Sequence, residues 1–260
     1  MHFYEILSCF FLFVSVFSHT TIFFNFATSM KKLLEYLSDF WFLLFPKNCE
    51  ACGRALSRGE EVLCFDCLYE LPRTHFCKEA DNPIMQLFEG RIRLERATAL
   101  FYFQKGSRFR KLLHSLKYNH KPEIGVLLGK ELGAEMLASG NFSDIDYIIP
   151  VPLHPNRQKK RGYNQSERIA AGISEITKIP VLVDVLIRNT DTKTQTKMNK
   201  EERWQNVSGK FIVTDAEVLK CKHVLLVDDV VTTGATTEAC GTTLLSVEGV
   251  KLSIAVLARA

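Results

Sequence analysis

The chain has 260 residues, 47% hydrophobic and 24% charged, with 33 Lys and Arg against 29 Asp and Glu and a net charge of +4. This composition excludes a disordered chain and leaves room for one large domain with an appendage. The isoelectric point of about 8.6 is too mild to argue for nucleic-acid binding by itself.

Residues 1–29 form an apolar leader rich in Phe that carries Glu5 and no Lys or Arg. A secretory signal needs a basic start. His19, Thr20, Thr21 and Asn25 break the apolar run before it reaches a comfortable membrane span. We read residues 1–29 as a mis-assigned start, with translation beginning at Met30 and the product in the cytoplasm. An N-terminal membrane anchor is the alternative.

Leu33, Leu34, Leu37, Phe40, Trp41, Leu44 and Phe45 recur at helical spacing, and Pro46 ends the pattern. This predicts an amphipathic helix over 30–46. Cys49, Cys52, Cys64 and Cys67 follow with the spacing C-x2-C-x11-C-x2-C. Two such knuckles can wrap tetrahedral zinc, giving a ribbon over 47–75. Disulfides or a redox pair would use the same residues, but a chain without a credible secretion signal is expected in a reducing compartment. Cys77 and His75 read as a free thiol and a surface imidazole. Cys221 and Cys240 read as small, inert core residues.

A second domain is expected over 95–260. Strands are predicted at 97–103, 146–152, 181–187, 207–213, 223–227 and 251–257. Helices are predicted at 107–117, 123–137, 165–176 and 238–247. Residues 189–206, polar and rich in Thr and Lys, read as a mobile loop. Strands alternating with helices predict an α/β fold with a parallel sheet covered by helices on both faces. Ligands of such sheets bind beyond the carboxyl ends of the strands.

At one of those ends lies the most informative run of the chain. Four apolar residues, Val224 to Val227, lead into Asp228 and Asp229. Val230 and Val231 follow, and then Thr232, Thr233, Gly234, Ala235 and Thr236. A strand that empties into a small-residue turn at a helix N-terminus can cradle a phosphate on its backbone N–H groups and hydroxyls. Carboxylates cannot bind phosphate. They can accept from sugar hydroxyls or hold a cation, so the run points to a ribose phosphate. It resembles the phosphoribosyl pyrophosphate (PRPP) motif of type I phosphoribosyltransferases. Arg157, Lys159, Lys160 and Arg161 cluster on another predicted loop, with Arg168 close by in the helix predicted after it. They are either a solvated face or the partner of an anion, and Arg161 is the candidate for pyrophosphate, which a guanidinium grips bidentately.

Several segments together resemble the ComF family, competence-associated relatives of the phosphoribosyltransferases. They are the Cys-x-x-Cys-Gly ribbon, Leu113 to Tyr118, Ile149 to His154, Arg161 to Gln165, Thr194-Gln195, Arg203 to Val207, and Val224 to Thr237. The resemblance implies a type I phosphoribosyltransferase-like domain with an N-terminal zinc ribbon. It implies that Asp228 and Asp229 meet the ribose, directly or through Mg²⁺, as catalytic groups. It further implies that Val230 and Thr232 to Thr236 hold PRPP. Lys193, Gln195 and Arg203 are candidates for a hood closing over the site, with solvated loop residues the alternative for Lys193 and Gln195. Its association with DNA uptake brings a rival reading, a non-catalytic binder of PRPP or single-stranded DNA working with a helicase-like competence protein. A nucleic-acid role for the ribbon is a further alternative. Relatives carry more Cys pairs after the ribbon, whereas this chain has only Cys77 there.

Overall fold

The computed structural model describes residues 46–103, 106–189 and 210–259. The expected leader 1–29, all but the last residue of the helix 30–46, and Lys193, Gln195 and Arg203 of the expected hood lie outside them. Among the described residues no helix is long and apolar enough to cross a membrane.

The centre is a parallel sheet of four strands: β1 (Arg96–Tyr102), β2 (Tyr147–Pro150), β5 (His223–Val231) and β6 (Lys251–Arg259), in the order β1-β6-β5-β2. An antiparallel pair, β3 (Leu186–Arg188) and β4 (Phe211–Val213), stands apart from it. The helices are α1 (Phe65–Tyr69), α2 (Pro83–Phe88), α3 (Arg110–Tyr118), α4 (Pro122–Ser139), α5 (Pro155–Arg161), α6 (Gln165–Thr177), α7 (Ala216–Leu219) and α8 (Ala235–Leu245).

Alternation along β5 explains why both faces are covered. Leu225 and Val227 pack into one core with Leu112 and Leu116 of α3, Leu128 and Leu132 of α4, and Ile169 and Ile173 of α6. Val224 and Leu226 pack into the other, with Phe88 of α2, Phe211 of β4, and Cys240 and Leu244 of α8. Period-two side chains that are apolar on both sides require helices on both faces. Each fully buried leucine stabilises the fold by about 2 kcal/mol relative to exposure. Helices α4 and α6 cross closely at glycines. A Cβ on Gly129 would stand 2.3 Å from the Ile169 carbonyl oxygen, and one on Gly172 2.2 Å from that of Val126. That crossing fixes where the N-terminus of α6 emerges beside the acids.

The ribbon is not hung on a linker. Leu56, Val62, Leu63 and Leu71 share a core with Leu113, Leu116 and Tyr163, and Lys121 Nζ lies 3.1 Å from Glu50 Oε1. The segment 72–74 runs along the free edge of β1, where Thr74 N donates to Leu100 O at 3.0 Å and Tyr102 N to Pro72 O at 3.0 Å. Covering an edge in this way removes a template for aggregation.

Several sequence expectations need correction. Strand β5 runs to Val231, because β6 continues beside it and pairs Asp228 with Val256 and Val230 with Ala258. The strand expected over 181–187 is a single bridge at Val181 plus β3. The basic cluster lies partly on helix α5, started by Pro155 and the His154 side chain, which accepts from Asn156 N at 3.2 Å. Cys221 is exposed at φ +57°, in the turn before β5, and is no core residue.

Candidate functional site

At the carboxyl end of β5 the alternation fails. Val230 packs against the core that holds Val227, three residues earlier, although β5 keeps its register with β6 through both acids to Val231. Asp229 is 9% exposed, and Asp228 is half-buried. Asp228 Oδ1 accepts from Ser166 Oγ at 3.1 Å and from Asp229 N at 2.8 Å. Burial and the neighbouring Asp229 carboxylate push Asp228 up to about 7. Asp229 Oδ2 has its own counter-ion, Lys117 Nζ of α3, at 3.0 Å. Neither Ser166 nor Lys117 was singled out as a site residue in the sequence. Lys117 lies within a quoted motif, but its distance from Asp229 along the chain hid the pairing.

The turn beyond the acids is held by packing. Gly234 takes φ +74°, the left-handed region that disfavours side chains, and a Cβ there would stand 2.7 Å from the buried Phe88 ring. Arg91 braces the same turn. It donates to Thr233 O at 2.8 Å, pairs with Glu238, and lies 5.6 Å from the centre of the Phe88 ring. Thr232, Thr233, Ala235 and Thr236 are exposed. Gly234 caps α8, whose first backbone N–H groups have no partner within the helix. The turn therefore presents hydroxyls and unpaired amides to solvent beside two carboxylates.

A basic cleft of about 350 Å³ lies next to this end, lined by Lys117, Tyr118, His120, Arg157, Lys160 and Arg161. The Arg161 guanidinium donates to Gln165 Oε1 at 2.7 Å and sits 5.4 Å from the centre of the Tyr118 ring. Asn164 caps α6 through Ser166 N at 3.1 Å and donates to Val151 O at 3.0 Å, tying the α6 N-terminus to the end of β2. Arg161 from one stretch of chain, and Asp228, Asp229 and the threonine turn from another, thus come to one end of the sheet. Tyr163, next to the basic cluster in the chain, is buried and donates to Leu116 O at 2.5 Å. The exposed aromatic of the cleft is Tyr118.

In the ribbon, the sulfurs of Cys49, Cys52, Cys64 and Cys67 all lie within 4.8 Å of one another. Sulfurs around zinc stand about 3.8 Å apart, given a Zn–S bond of ~2.3 Å, and Cys52 Sγ is 3.8 Å from Cys64 Sγ. Burial raises Cys49, but backbone N–H groups of Cys52, Cys64 and Ala51 outweigh it and bring the thiol down to about 6. Burial and the neighbouring sulfurs push Cys64 and Cys67 the other way, because four crowded thiols cannot all ionise without a cation among them. Cys77 does not join the cluster. It is buried against Thr98 Oγ1 at 3.1 Å, and burial pushes it up to about 11.

Residues 142–260 match the family model described as "Phosphoribosyl transferase domain". The "DNA utilization protein YhgH" of Shigella flexneri is 29% identical over 197 residues, covering 72% of this chain and 79% of that protein. The "Competence protein F" of Haemophilus influenzae is 39% identical over 90 residues, 34% of this chain and 39% of its own length. Among solved structures, the glutamine PRPP amidotransferase from B. subtilis complexed with ADP and GMP aligns with a TM-score of 0.36 and 26% identity. That alignment spans 52% of this chain and 26% of the other.

Proposed function

We propose that the chain is a ComF-type phosphoribosyltransferase-like protein that binds PRPP with Mg²⁺ at the carboxyl end of β5 and transfers the phosphoribosyl group to a nitrogen nucleophile, a reading supported by the phosphoribosyltransferase match over 142–260 and by the similarity to DNA utilization and competence proteins. The observation that carries this reading is the conjunction of a carboxylate pair, an exposed threonine turn at the start of α8 and a basic cleft at one end of the sheet. Thr232, Thr233 and Thr236, with the backbone of Val230, Gly234 and Ala235, hold the 5′-phosphate. Asp228 and Asp229 meet the ribose hydroxyls, directly or through Mg²⁺. The adjacent carboxylates, with burial and the Asp229 charge pushing Asp228 up to about 7, fit a divalent cation that would let both ionise. Bound Mg²⁺ supplies neutralisation of the leaving pyrophosphate.

Arg161 grips pyrophosphate; Lys193, Gln195 and Arg203, the expected hood residues, lie outside the described residues. The C1–O bond to pyrophosphate breaks as a C1–N bond forms, and the proton of the nucleophile leaves to solvent or pyrophosphate. Catalysis here is positioning and charge stabilisation. The four thiolates leave a zinc ion no open position, so the ribbon acts as a staple.

Calorimetry with and without Mg²⁺, joined to a pyrophosphate-release screen over bases and ammonia, tests the proposal. Wild type should take up PRPP only with the metal, and Asp229→Asn should bind it about 100-fold more weakly, or ~2.7 kcal/mol. No uptake by folded wild type refutes it. Uptake without release reduces the protein to a PRPP binder.

One observation favours a second reading. Tyr118 is 60% exposed beside the Arg161 guanidinium in a cleft of basic residues, as a single-stranded nucleic acid would need for stacking and backbone contact. The names of the relatives, with their DNA utilization and competence, support placing the protein with DNA-handling machinery. Steeply salt-dependent DNA binding, weakened by Lys160→Ala and Arg161→Ala but indifferent to Asp229→Asn, would establish it.

A further inference from the structure

Lys117 belongs to both halves of the site. Its Nζ lies 3.0 Å from Asp229 Oδ2, and the same side chain lines the basic cleft with Arg157, Lys160 and Arg161. Its backbone is well held. Leu112, Leu113 and Leu116 bury one face of α3, and the Tyr163 hydroxyl donates to Leu116 O at 2.5 Å, one residue before Lys117. The long side chain is 26% exposed, so its ammonium can move while the helix stays fixed.

Consider what a divalent cation meets on arriving alone. To reach Asp229 it must displace the ammonium, which then turns into a cleft already crowded with Arg157, Lys160 and Arg161. Like charges in that space oppose the move. A cation arriving with a polyanion meets no such opposition, because the displaced ammonium finds phosphate oxygens among the same basic groups.

We infer that Lys117 is the counter-ion that makes metal and pyrophosphate bind together: its ammonium pairs with Asp229 until the metal takes the carboxylates and then passes to the pyrophosphate. The inference rests on the PRPP reading above. It makes Lys117 a binding and coupling residue that moves between partners. Because coupling between two ligands is reciprocal, PRPP must tighten metal binding by the same factor by which metal tightens PRPP.

Mn²⁺ is the probe, followed by electron paramagnetic resonance without and with PRPP, on wild type, Lys117→Met and Lys117→Arg. Retained circular dichroism and thermal midpoint show that each variant folds. In Lys117→Met, Mn²⁺ alone should bind about tenfold more tightly, since the carboxylates lose their competitor, while PRPP in excess Mn²⁺ should bind about tenfold more weakly. The two changes run in opposite directions, which a merely structural role would not produce. Lys117→Arg keeps the charge and should return both values toward wild type. Unchanged or weaker Mn²⁺ binding by Lys117→Met overturns the inference. Tighter Mn²⁺ with unchanged PRPP affinity overturns the transfer to pyrophosphate. If wild type binds Mn²⁺ but no PRPP, the PRPP reading has failed and the transfer falls with it. The Asp229 counter-ion is then judged on Mn²⁺ alone.

Discussion

The molecule crowds acidic groups in two places and treats them in opposite ways. In the ribbon, four sulfurs lie within 4.8 Å of one another, three of the four residues are buried, and backbone N–H groups point at Cys49. At the end of β5, two carboxylates share one ammonium, one hydroxyl and one backbone N–H, and they open onto a threonine turn and a basic cleft. The first site closes its acidic groups around one point, only Cys52 reaching solvent, which suits a structural metal. The second leaves them under-compensated and accessible, the condition under which a ligand can gain free energy by arriving. Closure and exposure separate structure from function here better than the residue types do.

The largest expected effect strikes the closed site. A chelator or Cys64→Ser should remove the metal and melt the ribbon. Structural zinc contributes about 10–16 kcal/mol in zinc-finger peptides. Losing ~4 kcal/mol of that should lower the thermal midpoint of a domain this size by about 10 °C. The damage should spread, because Leu56, Val62, Leu63 and Leu71 share a core with α3, which carries Lys117 into the cleft. Calorimetric unfolding beside a zinc assay checks this. Were Cys64→Ser to unfold like wild type, the staple reading of the ribbon would fall.

A smaller effect is expected at the open site, whose turn is shaped by packing. Gly234→Ala puts a side chain at φ +74° and a Cβ 2.7 Å from a Phe88 ring that is 1% exposed and cannot retreat. Left-handed strain and overpacking together should cost about 1–3 kcal/mol, read by urea unfolding. Adding Phe88→Leu should recover the overpacking and leave the backbone strain. A Gly234→Ala variant as stable as wild type would mean that the turn yields freely.

Much of this contrast was legible in the sequence. The Cys spacing announced the ribbon, and the four apolar residues before Asp228 announced a buried parallel strand, because both signals are local. Helix α5 escaped notice because none of its residues is buried, so it has no apolar stripe to read. What marked it was weaker: Pro155 at its start and Gly162 at φ +78° after its end. The end of β5 escaped because Asp228 and Asp229 look like loop residues, and only pairing with β6 keeps them in the strand. Ser166 and Lys117 reach the acids from helices far away in the chain, and nothing local could have paired them.

The smallest effect tests the open site by its pH dependence. Burial and Asp229 push Asp228 up to about 7, from an ordinary carboxylate value of 3.8. Between about pH 4 and pH 7 the folded chain therefore keeps a proton that the unfolded chain has released, so this group makes stability fall as pH rises through that window. Asp228→Asn keeps an oxygen to accept from Ser166 Oγ and Asp229 N while removing the charge. The variant should match wild type near pH 4 and exceed it by about 1–2 kcal/mol near pH 8, a figure discounted for partial solvent screening. Urea unfolding at both pH values reads the difference. Millimolar Mg²⁺ near pH 8 should then stabilise wild type and leave Asp228→Asn nearly unmoved, since a cation between the acids relieves the repulsion that the amide has already removed. A stability gain that is flat with pH would show that the acids are compensated as fully as the thiolates, and the distinction between the two sites would dissolve.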